Sequence, residues 1–248
     1  MNITPTVKQL LIINILFFIG SQIVGEAAYD YLALFFFENA KFQGWQPLTH
    51  MFMHGGIAHI AFNMFALYSF GSALEQFWGG KKFLFFYVSC GLGAALLHTG
   101  VNYFLFHNGL NELLQAGFSK TDIFALLNEG KIDTRWTETL GASGIDRFAG
   151  SFASPAVGAS GAIYGLLVAF AYMFPNAELA LMFIPVPIKA KYFVPGLLLV
   201  DLFLGVSGKS IFGGSGGIAH FAHIGGAIVG FLMMWYWKKN QFGQNRWN

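Results

Sequence analysis

Charge is scarce in this sequence. Only 10% of its 248 residues are Asp, Glu, Lys or Arg, against roughly 25% in a soluble globular domain, so it lacks the polar coat of a water-exposed surface. Cysteine is scarcer still. Cys90 stands alone, which excludes an internal disulfide and a thiolate metal cluster. A net charge of +2 and the lack of any recurring basic stripe argue against nucleic acid as a partner. Apolar residues are what abound: 55% of the chain is hydrophobic, 18% aromatic, and 29 residues are Phe. Disorder, a coiled coil and a disulfide-stapled secreted fold all conflict with that composition. Length alone allows one or two domains. The class that remains is an all-α polytopic membrane protein.

A helix crossing the hydrocarbon core needs about 20 mostly apolar residues. Candidate spans run over Val7–Val24, Ile57–Phe77, Phe83 to about Phe106, Gly158–Phe174, Tyr192–Val206 and Ile218–Trp237. The first lacks a basic leader and a small-residue cleavage site, so it reads as a retained span. The last ends in Trp235, Tyr236 and Trp237 followed by Lys238 and Lys239, an aromatic interfacial anchor leading into a basic tail. The expected architecture is a bundle of six transmembrane helices.

Six spans put both termini on one side. With that side cytoplasmic, the inner segments carry Lys8, Lys81, Lys82, Lys189, Lys191, Lys238, Lys239 and Arg246, while the short outer ones carry only Lys41 and Lys209. Lysine and arginine bias in short loops sets orientation, so the termini are expected inside. Residues 107–157 are too long to be a structureless connection. Leu110, Leu113, Leu114 and Phe118 follow a helical spacing, and Ser119 with Asp122 resembles a capping box before Ile123–Leu127. This outer segment is predicted to form short amphipathic helices lying on the membrane surface.

Polar side chains inside spans are costly, and each is a functional hypothesis until explained. The second span opens with His54, His59 and Asn63, the last two sharing a helix face at a spacing of four. The fourth opens Gly158-Ala-Ser160-Gly161 and continues to Tyr164 and Gly165; the sixth carries His220, His223, Gly225, Gly226 and Gly230. Small-residue packing explains the glycines, and interhelical bonding can explain His59 and Asn63. Packing alone does not call for a histidine beside glycines. Under the topology above, spans two, four and six all run inward. His59, Asn63, Ser160 and His223 then share one depth beneath the outer face, within reach of water.

That set supports acyl transfer. Serine becomes nucleophilic when a base takes its proton; His223 can be that base and can later protonate the leaving amine. His59, Asn63 and the Ser160 backbone N–H are the available oxyanion donors. Tyr164, one turn below Ser160, can pack on the imidazole. Asp201 lies on span five, but nothing in the sequence aims it at His223, so a Ser-His dyad is the more economical reading. No cofactor or metal is required.

At these residues the sequence resembles the rhomboid family of intramembrane serine proteases. The likeness runs from about Trp45 to Trp237, the long third loop excepted, and rests on His54–His59–Asn63, Gly158-Ala-Ser160-Gly161 and Ala222-His223-Ile-Gly-Gly226 in that order. It implies one rhomboid-like membrane domain over 1–248, with Ser160 as nucleophile, His223 as base, His59 and Asn63 at the oxyanion, and His54 and Tyr164 auxiliary. It implies cleavage of peptide bonds in or near transmembrane helices of membrane-protein substrates, in the lipid bilayer of a bacterial-type inner membrane. Pro195 and Gly196 make span five a candidate for the moving side of the substrate entrance. The family carries Trp-Arg in its first outer loop; this chain has Trp45-Gln46.

Two look-alikes and two other functions compete. Gly141-Ala-Ser143-Gly144 repeats the serine tetrapeptide, but Ile145-Asp146-Arg147 cannot begin a span, so a loop turn is expected there. His98 and Asn102 repeat the His-x-x-x-Asn spacing near the outer end of span three, where an interfacial hydrogen-bonding role suffices. A non-catalytic rhomboid-like binder of client helices would share the fold. A transporter could use His54, His59, His220 and His223 as imidazole ligands, although few buried carboxylates accompany them.

Overall fold

The computed structural model describes residues 2–181, 184–208 and 217–241; Lys209 and Arg246, used in the charge count above, lie outside them. Helix α1 (Pro5–Val24) and the short α2 (Glu26–Leu32) lead to α3 (Gln46–Thr49) and a 3-10 turn over His50–Phe52. The second predicted span is built from α4 (Ile57–Ala66), a π-helical turn over Leu67–Gly71 and α5 (Ser72–Trp78). Next come α6 (Gly80–Gln115), α7 (Lys120–Asn128), α8 (Trp136–Ala153) and α9 (Ser160–Met173). An antiparallel hairpin of β1 (Glu178–Leu181) and β2 (Ile184–Lys189), not foreseen from the sequence, then precedes α10 (Ala190–Ser207) and α11 (Ile218–Gln241).

Among the described residues, five helices are long and apolar enough to cross a membrane, and the chain is a multi-pass membrane protein of helical-bundle architecture. The sixth expected helix is present as α9, which is shorter than the other five. Helix α9 has 14 residues, about 21 Å at 1.5 Å per residue, which is short of a hydrocarbon core about 30 Å thick. It need not reach both headgroup layers because protein surrounds it: Gly161, Ala162, Ile163, Gly165, Leu166, Leu167, Val168 and Ala169 are all buried.

Glycines bring α6, α9 and α11 together without intervening side chains. A Cβ at Gly161 would lie 2.3 Å from the Ala94 Cβ, and one at Gly165 would lie 2.3 Å from the Cys90 Sγ. On α11, a Cβ at Gly230 would meet the Gly165 Cα at 2.8 Å, and one at Gly225 would meet the Gly93 carbonyl at 2.6 Å. With no hydrophobic drive between helices in lipid, such close backbone packing holds the bundle. At the other end of the bundle, the Glu75 carboxylate on α5 caps α1. It accepts hydrogen bonds from the Thr4 hydroxyl and from the backbone N–H groups of Thr6 (2.9 Å) and Val7 (2.9 Å), donors that an isolated helix start leaves unpaired.

The 107–157 segment is helical, and its apolar faces pack on one another and on the end of α6. Helix α6 continues past Phe106 to Gln115, and its end joins α7 and α8 in a second core of Phe36, Phe106, Leu110, Leu113, Ile123, Leu127, Trp136, Ile145, Phe148 and Phe152. Phe106 and Phe148 stack face to face, centroids 5.1 Å apart. Burying aromatic faces against one another satisfies the same amphipathic pattern. Ser119 does occupy the N-cap position of α7, but its side chain makes no capping bond. The predicted loop turn at Ser143 is also revised: the residue lies exposed within α8, just past a break at Gly141 (φ 68°, ψ 165°).

The loop between the first two spans is braced by Gln46, which is fully buried. Its carbonyl accepts the Phe35 N–H at 3.2 Å, and its amide donates to the carbonyls of Lys41 (2.9 Å) and Asp30 (3.3 Å). Beside it, the Trp45 indole N–H donates to the Tyr31 carbonyl at 2.9 Å. A neutral carboxamide thus meets three backbone groups with no charge to desolvate.

Candidate active site

Ser160 is the first residue of α9, and the chain reaches it in a non-helical conformation through Gly158 (φ 125°). The Gly158 N–H donates to the His50 carbonyl at 2.9 Å, fixing that approach. A helix start leaves its first N–H groups without intrahelical partners and carries positive partial charge. The Ser160 hydroxyl therefore sits beside unpaired donors by construction.

From α11, His223 turns its Nε2 to the Ser160 Oγ at 2.9 Å. Tyr164 stacks flat on the imidazole, with centroids 4.2 Å apart and planes 8° from parallel. Ser160, Tyr164 and His223 are each partly accessible, whereas the flanking Ala159, Gly161 and Ala162 are buried. The pair is held by a packed scaffold yet open on one side.

The other ring nitrogen of His223 is also engaged. Its Nδ1 lies 3.2 Å from the Asp201 Oδ1 on α10, and His220 Nδ1 lies 2.5 Å from the same oxygen. The sequence alone favours a Ser-His dyad without Asp201; the structure brings Asp201 to the ring. Two signals pointed that way. A lone carboxylate in an apolar span demands a partner, and histidines at 220 and 223 are three apart, on one helix face.

His59 comes from α4 and is partly accessible. A Cβ at Gly158 would lie 2.8 Å from its Nε2 and 3.5 Å from the Ser160 Oγ, so ring and hydroxyl flank the same glycine. The His59 Nδ1 accepts the Gly55 N–H at 3.2 Å. In the tautomer that fits this bond, Nε2 carries the proton and faces the site. Asn63, one turn on, spends one amide proton on the His59 carbonyl at 3.0 Å and keeps another. The His54 ring packs edge-on against His59 at 5.1 Å. Burial and the neighbouring His59 lower its pKa to about 4, with partial compensation from the Phe52 carbonyl. It is neutral at ordinary pH, and its backbone carbonyl accepts the Tyr29 hydroxyl at 2.6 Å.

The family model for the rhomboid domain matches residues 41–240. The chain belongs to the rhomboid family. Among its relatives, the mitochondrial Rhomboid protein 1 of Saccharomyces cerevisiae is 27% identical over 76% of this chain and 40% of its own length. Rhomboid protease AarA of Providencia stuartii is 27% identical over 76% of this chain and 54% of its own. Rhomboid protease GluP of Bacillus subtilis is 40% identical, but over only 23% of this chain and 11% of its own. This rhomboid thus spans about half the length, or less, of these curated relatives.

The look-alike residues lie apart from this constellation. Ser143 is on the exposed side of α8, which packs into the second core. In α6, His98 and Asn102 are buried and paired with each other, the Asn102 amide donating to His98 Nε2 at 3.2 Å. The four histidines of the transporter reading form two ring pairs, His54 with His59 and His220 with His223. Asp201, His220 and His223 form a group whose donor atoms lie within 4.8 Å of one another.

Proposed function

We propose that this rhomboid is an intramembrane serine endopeptidase that hydrolyses peptide bonds in or near transmembrane helices of membrane-protein substrates. The observation that carries the reading is the 2.9 Å contact between the Ser160 Oγ and His223 Nε2. In this mechanism Nε2 accepts the hydroxyl proton as Oγ attacks the scissile carbonyl. The oxyanion takes hydrogen bonds from the Ser160 N–H, His59 and Asn63; each such donor is worth about 3–4 kcal/mol in the transition state. His223 then gives its proton to the departing amine, and water, activated by the same base, releases the acyl group.

Water must reach this depth, which non-helical backbone lining an aqueous cavity permits. The stretch 154–158 before α9 supplies such backbone, interrupted only by a single bridge from Ala156 to Leu34. Substrate helices must unwind before their amides can be attacked, so helix-weakening residues such as glycine at the cut favour cleavage. Helix α10, with Pro195 inside it and Tyr192, Leu199 and Phe203 exposed, is the side from which they enter. The lysine bias argues for cytoplasmic termini and a site opening outward. Its relatives include both mitochondrial proteins and bacterial proteases; a bacterial inner membrane is the location this reading assigns.

The test is cleavage of a fluorogenic transmembrane-helix substrate by the purified protein, with a serine-directed phosphonate probe mapped to its site of attachment. Ser160→Ala should abolish turnover and labelling, while Ser143→Ala leaves both intact. Turnover retained in Ser160→Ala would overturn the assignment. Folded protein that the probe does not label would favour a binder of client helices.

A further inference from the structure

The Ser160–His223 pair leaves one question of chemistry open: what decides which nitrogen of His223 carries the proton. A neutral imidazole is a base only at its unprotonated nitrogen, and the partner of the other nitrogen fixes the tautomer. Asp201 is that partner here. Its Oδ1 lies 3.2 Å from His223 Nδ1, while Nε2 faces the serine. An anionic carboxylate can only accept, so Nδ1 must hold the proton and Nε2 must be free.

The carboxylate is itself held. His220 donates from Nδ1 to the same Oδ1 at 2.5 Å, and the Asp201 side chain is 6% exposed. Two rings, one turn apart on α11, thus grip one oxygen from α10. Tyr164 stacks flat on the ring and also interacts with the Asp201 carboxylate.

We propose that Asp201 is a positioning residue that completes a Ser160–His223–Asp201 relay, with His220 locking its carboxylate. The proposal rests on the protease reading. As the Ser160 Oγ–C bond forms, the hydroxyl proton passes to His223 Nε2. The resulting imidazolium is stabilised by Asp201, which keeps its own charge and takes no proton. When the scissile C–N bond breaks, the Nε2 proton leaves with the amine. The groups facing His223 are Ser160 and Tyr164 on α9, Asp201 on α10, His220 on α11 and His59 on α4; Asp201 is the one anion among them.

The three side chains could instead ligate a divalent transition metal. The distances favour hydrogen bonding, because both rings approach a single carboxylate oxygen directly. Metal ligands are arranged around a common point about 2.0–2.2 Å from each.

The experiment uses the full chain in detergent, as wild type, Asp201→Asn and Asp201→Glu, with two readouts. Histidine ¹⁵N NMR, assigned by loss of signal in His223→Gln, reads the tautomer; steady-state cleavage reads kcat and KM. The wild-type ring should be protonated at Nδ1 and should change tautomer in Asp201→Asn. In that variant kcat should fall at least tenfold with KM within about twofold and thermal stability retained, and Asp201→Glu should restore part of the loss. An unchanged kcat, or a change in KM alone, would overturn the proposal. So would cleavage that a chelator abolishes and Zn²⁺ restores. If the wild type cleaves nothing, the protease reading fails by itself. The tautomer then decides about Asp201, with Nδ1–H supporting it and Nε2–H overturning it.

Discussion

Gly226 on α11 lies against the backbone of Gly161 on α9, so close that a Cβ there would fall 1.8 Å from the Gly161 carbonyl oxygen. This contact is one residue from Ser160 and three from His223, and it sets how near the two helices, and hence the hydroxyl and the ring, can come.

Gly226→Ala should therefore cost more than overpacking usually does. A core methyl inserted without room destabilises by about 1–3 kcal/mol, and here the obstacle is backbone that cannot rotate away. The expected result is a lowered Tm together with loss of cleavage and of probe labelling at Ser160. A variant that keeps wild-type labelling would show that the pair does not depend on this approach.

Gly158→Ala should separate activity from stability. The new methyl would press on the His59 ring at 2.8 Å, and the φ of 125° suits only glycine. Because the ring can swing aside, the fold should survive while His59, the proposed oxyanion donor, is displaced. We expect a kcat reduced by about 100-fold, in line with loss of one such donor, with probe labelling slowed rather than abolished.

Gln46→Ala tests the loop between the first two spans. It would leave the Phe35 N–H and the Lys41 and Asp30 carbonyls short of a partner. A buried polar group left unsatisfied costs about 1–3 kcal/mol, so thermal stability should drop measurably. Activity per folded molecule should hold near wild type, because Gln46 touches neither Ser160 nor His223. An unaltered Tm would mean that water takes over the bonds.

Acid should destabilise the fold through its buried histidines. Burial pushes both His50 and His54 down to about 4 from an ordinary value of 6.5. Between those values the unfolded chain binds protons that the folded one does not, so stability is full above pH 6.5 and falls as the pH drops towards 4. The slope is about 1.4 kcal/mol per pH unit for each histidine. Thermal unfolding in detergent from pH 7.5 to 4 should show Tm falling across that window. Replacing His50 by Gln should flatten the curve if the variant folds, and a flat wild-type curve would refute this origin.

The membrane class, the places of the apolar helices and the residues worth suspecting could all be read along the chain. Hydropathy over about 20 residues is a local property, and a serine or histidine embedded among glycines in an apolar run needs no partner to be noticed. The helical pattern of 107–157 was legible for the same reason. What that pattern could not reveal is what its apolar faces meet, since lipid and the ring of Phe148 satisfy Phe106 alike. That α9 begins at Ser160 and stays short follows from its packing, because a helix walled by protein is freed from the length rule that lipid imposes. The tertiary structure also decided the place of Asp201. Its distance from His223 depends on how α10 packs against α11, and no spacing along the chain encodes that.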